Sequence, residues 1–345
     1  METILKKEDL RAWVAELEAK AQVYAPAFED DVWGFQRVQA PAEVSLDYTN
    51  AVRPPKGFVF PQREVLYKFE HERGKMPVVT ETLPTPQPTV VFGVRPCDGR
   101  GMVRNDRVFT CGVADPYYQA RRDKVTFVGM ACNTPPSPGC FCTATGGSPH
   151  AEDGLDILMT EMPDGYFVKA ITAKGVELVE RARRLFNEAK PEDQNEVAKI
   201  HAEADRQPQR GLPNLEAVAA GLKKNFDSPA WEKLAQACIS CGICTYLCPT
   251  CHCFDINDEM TAGSGCKGER VRTWDNCQFP DFTMHTSGHN PRETLGSRLR
   301  QRVAHKFLYF VENHAMQQCT GCGRCTTQCP VGIDIVRVVD EVSGQ

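Results

Sequence analysis

Apolar residues recur along this chain in two rhythms, and the rhythm changes near residue 174. In the first half, TVVFGV (89–94) and VTFVGM (125–130) are short runs rich in Val and Phe. Each is too short for a globular helix, so both are expected as buried strands. The stretch GLDILMTEMPDGYFVKAIT (154–172) predicts a β-hairpin with Pro163-Asp164-Gly165 as its turn. Ahead of these runs, residues 8–20 place apolar among charged positions at helical spacing and predict one helix. An irregular, proline-marked stretch follows, up to LPTPQPT (83–89). From about 174 to 237 the pattern is helical and heavily charged, and NEAKPEDQNEVAKIHAEADRQPQRG (187–211) reads as the linker region. Within 293–318, Leu295, Leu299, Val303, Phe307 and Phe310 form one apolar helix face. The expected architecture is an α/β or α+β N-terminal domain (1–180), a helical, charged linker (181–225) and a mainly α-helical C-terminal domain (226–345).

Composition narrows the class. A chain of 345 residues suggests roughly two domains. Its net charge of −5, without interleaved basic and aromatic residues, gives no support for nucleic-acid binding. The first twenty residues lack the continuous apolar core of a signal peptide, and no apolar run approaches the roughly 18 residues that cross a bilayer. A cytoplasmic chain without membrane insertion is expected. Seventeen cysteines is the unusual number. An odd count without an export signal argues against a disulfide framework and for metal-ligating thiolates.

Eight of these cysteines fall in a twelve-residue pattern that occurs twice: CISCGICTYLCP at 238–249 and CTGCGRCTTQCP at 319–330. Each copy is C-x2-C-x2-C-x3-C-P, the run of bacterial-type ferredoxins that holds [4Fe-4S] clusters. Three closely spaced thiolates wrap one side of a cube only if the backbone turns tightly, and Gly242 and Gly323 permit that turn. The fourth cysteine points away, and in two-cluster ferredoxins it ligates the other cube. By that rule Cys238, Cys241, Cys244 and Cys329 hold the first [4Fe-4S] cluster, and Cys319, Cys322, Cys325 and Cys248 hold the second. The C-terminal domain is therefore expected to be ferredoxin-like, with a helical insertion between the motifs. A zinc site usually shows two C-x2-C pairs without this rhythm. For Cys251, Cys253, Cys266 and Cys277 the default is structural thiols, with a further metal site as the alternative. His252, His285, His289 and His305 read as structural or surface residues. Arg298, Arg300, Arg302 and Lys306 read as a solvated helix face, or else as a patch that docks an acidic partner.

The phrases around the motifs carry a resemblance. FDSPAWEKLAQACISCGICTYLCPTCHCFDI, RVRTWDNCQFPDFTMHTSGHNPR and RLRQRVAHKFLYF resemble the dicluster iron–sulfur subunits of soluble multisubunit oxidoreductases, the group of sulfhydrogenase (hydrogenase/sulfur reductase) beta subunits and anaerobic sulfite reductase A subunits. GVRPCDGRGM, DPYYQARR, CFCTATGG and GLDILM are similar to that family too, so the resemblance spans roughly residues 55 to 340. It implies a non-catalytic electron-transfer role between a flavin (FAD) subunit that handles NAD(P)H and a terminal subunit such as hydrogenase or sulfite reductase. The residues agree with that division. No G-x-G-x-x-G follows any of the expected strands, and CDGRG (97–101) and TGG (145–147) are too short to qualify. The competing reading is a stand-alone iron–sulfur enzyme that reduces a disulfide or sulfur substrate, which the extra cysteines after Cys248 keep open.

A third [4Fe-4S] cluster is expected in the N-terminal domain. VVFGVRPC and VTFVGMAC are strands that run directly into Cys97 and Cys132. If the two strands are parallel neighbours, both thiols reach one sheet edge. The turn-rich NTPPSPGCFC then returns Cys140 and Cys142 to it. GCFC is a phrase the family resemblance includes, and Cys111 is left as the unligated thiol.

Overall fold

Both short apolar runs are strands, and they lie side by side. The computed structural model describes residues 1–40, 44–72, 74–212, 214–263 and 266–344. Its first half contributes strands β1 (Glu2–Lys6), β2 (Gln22–Glu29), β3 (Val32–Arg37), β4 (Arg63–Glu70), β5 (Val78–Glu81), β6 (Thr89–Val94), β7 (Val125–Met130), β8 (Ile157–Glu161), β9 (Gly165–Ala170) and β10 (Phe186–Glu188). All but β4 and β5 join one mixed sheet in the order β10-β1-β9-β8-β7-β6-β2-β3. β2, β6, β7 and β8 run parallel, and the expected hairpin is the antiparallel β8–β9 pair.

The sheet is covered on both faces. Val90 and Phe92 of β6 and Val128 and Met130 of β7 face one core, with Trp13 and Leu17 of α1 (Leu10–Glu18) and Leu178 of α4 (Ala173–Arg181). Val91, Val94 and Phe127 face the other, with Met102 and Phe109 of α2 (Pro96–Thr110) and Tyr118 of α3 (Pro116–Arg122). This alternation follows from the two-residue period of a strand. Trp13 meets the edges of Phe92 and Phe186 with ring centroids 5.1 Å apart, an arrangement that suits the aromatic quadrupole.

Between the motifs the chain departs from the expected helical insertion. Strands β11 (Phe254–Met260) and β12 (Lys267–Trp274) form a hairpin that pairs with β4 in a second sheet, β11-β12-β4-β5. The charged alternation of REVLYKFE and KGERVRTW hides these strands from a search for apolar runs. Cross-strand pairs Arg63–Glu259, Lys68–Glu269 and Arg270–Asp258 link strands of this sheet. The buried Arg272 bonds both Glu64 and Asp115.

The region 181–225 is shared between the two halves. β10 completes the first sheet, and α5 (Pro191–Arg206) buries Val197 and Ala204. α6 (Leu215–Lys224) instead belongs to the C-terminal core through Val218 and Leu222. That core also takes α7 (Ala230–Ala235), the helix α9 (Leu295–Ala304) and its π-helical continuation His305–Tyr309, and α12 (Ile335–Ser343). The short helices α8 (Ile243–Tyr246), α10 (Phe310–His314) and α11 (Arg324–Thr327) complete the fold. The C-terminal half is thus mainly helical, and the apolar face expected at 295–310 is largely its core: Leu299, Val303, Phe307 and Phe310 are buried.

A buried ion pair between α2 and α11 helps to fasten the halves together. Arg324 of α11 grips Asp98 of α2 through two hydrogen bonds of 2.6 and 2.8 Å, and donates further to the Ala51 carbonyl and to Asn50 Oδ1. Both partners are buried. Breaking such a pair from one side strands the other charge and costs about 3–5 kcal/mol. Asp98→Asn should therefore lower the thermal unfolding midpoint of the anaerobically handled chain by several degrees. A midpoint equal to wild type would show that the pair does not hold the halves.

Candidate iron–sulfur sites

The two cysteine motifs fold alike. In each, a glycine of positive φ (Gly242, +80°; Gly323, +75°) ends the loop and starts a one-turn helix, α8 or α11. The loops turn backbone amides toward thiol sulfurs: Ser240 N to Cys238 Sγ (3.4 Å), Gly321 N to Cys319 Sγ (3.5 Å) and Ile333 N to Cys329 Sγ (3.3 Å). Donors so placed stabilise negative charge on ligand sulfur.

Around these loops lie two cavities. The first is lined by Cys238, Cys241, Cys244 and Cys329, together with Cys325. The second is lined by Cys319, Cys322, Cys325 and Cys248. The grouping crosses the motifs, each cavity receiving the last cysteine of the other copy. A third cavity is lined by Cys97, Cys132, Cys140 and Cys142, together with Cys322.

Local structure explains the third grouping. β6 and β7 are parallel neighbours, so Cys97, in the first turn of α2, and Cys132, just past β7, leave the sheet at the same edge. The proline-rich loop returns through turns, and Phe141 N bonds the Gly321 carbonyl at 2.8 Å, so Cys140 and Cys142 sit against the second motif. Gly323 makes that approach possible, since a Cβ there would meet the Gly139 carbonyl at 2.5 Å. Arg95 lies beneath, 4.3 Å over the Tyr48 ring, donating to the Met130 and Ala131 carbonyls.

Burial shapes the thiols. It pushes Cys132, Cys244 and Cys319 up to about 11, and nearby Arg95, Arg302 and Lys306 respectively pull each one back. These groups are protonated at neutral pH, and a bound metal would displace the protons. Cys248 differs: a hydrogen bond from Cys251 outweighs burial and holds it well below the ordinary thiol value, with help from Lys306 and Arg302. Among the described residues no three His, Cys, Asp or Glu side chains stand close enough to hold a single metal ion. A zinc tetrahedron with Zn–S bonds of about 2.3 Å needs its sulfurs within about 4 Å of one another. Sulfurs ringed around a cavity, with amide donors aimed at them, suit a polynuclear iron–sulfur group instead.

The other sequence candidates fall elsewhere. Cys251 hydrogen-bonds Cys248, and Cys253 hydrogen-bonds Cys277; these three extra thiols back the first motif without lining its cavity. Cys266 lies at the far end of the second sheet, where its carbonyl accepts from His71 N, and Cys111 is exposed at the end of α2. His252 and His305 are pushed by burial down to about 4 and about 3, so both are neutral packing groups. His285 and His289 share a surface turn. The glycines of CDGRG and TGG serve packing: a Cβ at Gly99 would meet the Asp153 carbonyl at 2.6 Å, and one at Gly147 would meet Arg100. The basic residues of α9 require a correction. Arg298, Arg302 and Lys306 are buried and only Arg300 is part-exposed, so they are no solvated or docking face. The reason is that this helix runs through the middle of the C-terminal core. Asp98 and Arg324 escaped notice in the sequence because nothing local marks an ion pair made across more than two hundred residues.

With this geometry in hand, comparison with known proteins places the chain. Residues 237–333 match the family described as a 4Fe-4S dicluster domain, which makes this an iron–sulfur protein. Over 326 residues, 94% of this chain and 93% of the relative, it is 34% identical to sulfhydrogenase 2 subunit beta of Pyrococcus furiosus. The chain belongs to the family of that beta subunit. No solved structure matches significantly. No helix among the described residues is long and apolar enough to cross a membrane.

The close approach at Gly323 is directly testable. Gly323→Ala should lower the iron content of the anaerobically purified chain well below that of Gly288→Ala. Gly288 has a similar φ of +82° but would place its Cβ in open space. Equal iron in the two variants would show that backbone strain, not the approach of Gly139, matters.

Proposed function

We propose that this chain is the relay subunit of a cytoplasmic oxidoreductase complex, standing between a flavin (FAD) subunit that handles NAD(P)H and a hydrogenase-type terminal subunit. Cys238, Cys241, Cys244 and Cys329 hold the first [4Fe-4S] cluster; Cys319, Cys322, Cys325 and Cys248 hold the second; Cys97, Cys132, Cys140 and Cys142 hold a third. Such clusters, when bound, supply one-electron transfer at potentials that their surroundings set.

The observation that carries this reading is the order of the cavities. Cys325 lines the first and the second, and Cys322 lines the second and the third. These shared lining residues support a row of three ligand sets. Of the proposed ligands only Cys241 is exposed, and Ile239 beside it is 63% exposed, which makes this loop the outer end of the row and a place for a partner to approach. Behind it Cys140, Cys248 and Cys319 are buried and the other proposed ligands part-buried. The family's beta-subunit relative supports a heteromeric assembly.

Two measurements test this. The isolated, fully loaded chain should be reduced by dithionite yet fail to oxidise NADH or NADPH; robust NAD(P)H oxidation, or turnover of a disulfide substrate, would overturn the relay reading in favour of a stand-alone enzyme. Iron analysis of the loaded chain should approach about 12 atoms for three cubes, falling to about 8 when Cys97 and Cys132 are both changed to Ala. A wild-type count already near the lower figure removes the third site. The crossing of ligands is read separately: Cys248→Ala should disturb the cluster of the second motif and spare that of the first.

A further inference from the structure

Arg302 and Lys306 stand one turn apart where α9 passes into its π-helical continuation, and they are 5% and 2% exposed. A buried cation without a counter-charge costs several kcal/mol, so each should have an anionic neighbour. Two other buried guanidinium groups meet that expectation with carboxylates, Arg272 with Glu64 and Asp115 and Arg324 with Asp98, while Arg95 and Arg298 spread their charge over backbone carbonyls. Among the described residues, Arg302 and Lys306 do not. Lys306 Nζ donates to Cys248 Sγ at 3.3 Å and to Thr250 Oγ1 at 3.1 Å. Arg302 Nη1 reaches Thr245 Oγ1 at 3.4 Å and Cys251 Sγ at 3.6 Å, while its buried Nη2 has no hydrogen-bond partner. Arg302 lines both the first and the second cavity; Lys306 lines the second and not the first. Arg298, one turn earlier, turns away to the Arg292 and Glu293 carbonyls. The π-turn that contains Lys306 is a helix distortion found frequently at functional sites.

We propose that Arg302 and Lys306 set the reduction potentials of the two motif-held clusters, Arg302 acting on both and Lys306 on the second alone. This rests on the ligand assignment proposed above. Reduction adds one negative charge to a thiolate-ligated site, and a fixed cation at its wall stabilises the reduced form more than the oxidised one. Net charge and hydrogen bonds to the sulfurs are the levers by which a protein tunes such sites. The two side chains are positioning residues with an electrostatic role, and the geometry predicts an unequal effect that a merely structural role would not produce.

The test is a potentiometric titration of the full, loaded chain, followed by electron paramagnetic resonance, for wild type, Arg302→Gln, Arg302→Lys, Lys306→Gln and Lys306→Arg. At a fixed solution potential Arg302→Gln should lower the reduced-to-oxidised ratio of both motif clusters at least about tenfold, a downward shift of about 59 mV for a one-electron couple. Lys306→Gln should do so for the second cluster only. The charge-retaining variants should stay near wild type. Titration of both Gln variants like wild type, equal shifts of both clusters in Lys306→Gln, or shifts as large in Arg302→Lys and Lys306→Arg would each overturn the inference. Loss of iron in the Gln variants with retention in the Lys and Arg variants supports it, whereas loss in all four shows that packing alone is at stake. A wild-type chain lacking two such signals would instead sink the ligand assignment, and this inference with it.

Discussion

Many thiolate ligands inside one small region create a charge problem, and the fold is organised around its solution. Clusters held by cysteine carry net negative charge, and burying charge without compensation is costly. The chain answers with cations that reach the sites from different directions. Lys306 and Arg302 come from the helix between the motifs, Arg95 from the end of β6, and Arg324 from within the second motif itself. Arg324 is shared: Asp98 takes its charge, and in doing so brings the residue next to Cys97 against the residue next to Gly323. That ion pair fixes how closely the second motif approaches the Cys97 end of α2.

The long separation of the two motifs follows from this need. A small ferredoxin can join its motifs by a short link because each copy completes the other's site. Here the intervening chain does two more things. The β11–β12 hairpin leaves the first motif and adds to β4, which anchors the motif on the N-terminal half. The chain then returns as α9 and its π-turn through the C-terminal core, carrying Arg302 and Lys306 to the cavity walls. Lys56 reinforces the junction from the other side: its ammonium, over the Trp274 ring at 4.2 Å, donates to the Cys251 and Thr245 carbonyls. The insertion is therefore a fastening and a source of charge, and removing it would separate the motifs from the sheet that supplies the third set of thiols.

What the sequence by itself determined is whatever rests on local spacing. C-x2-C-x2-C-x3-C-P dictates a tight loop and a positive-φ glycine, and both copies adopt it. Continuous Val- and Phe-rich runs dictate buried strands, and a cysteine directly after each parallel strand must emerge at the same sheet edge, as Cys97 and Cys132 do. Tertiary structure decided the rest, because the energies involved belong to pairs distant along the chain. β4 and β12 are half charged and become strands only because each supplies the other's opposite charges and hydrogen bonds. Residues 181–225 look like a linker by composition, yet β10 and α6 find their places in two different cores. Arg302 and Lys306 look like a solvated face until the helix is packed; only then do their charges meet thiols instead of water, because burial depends on what lies across the core and not on the neighbours in sequence.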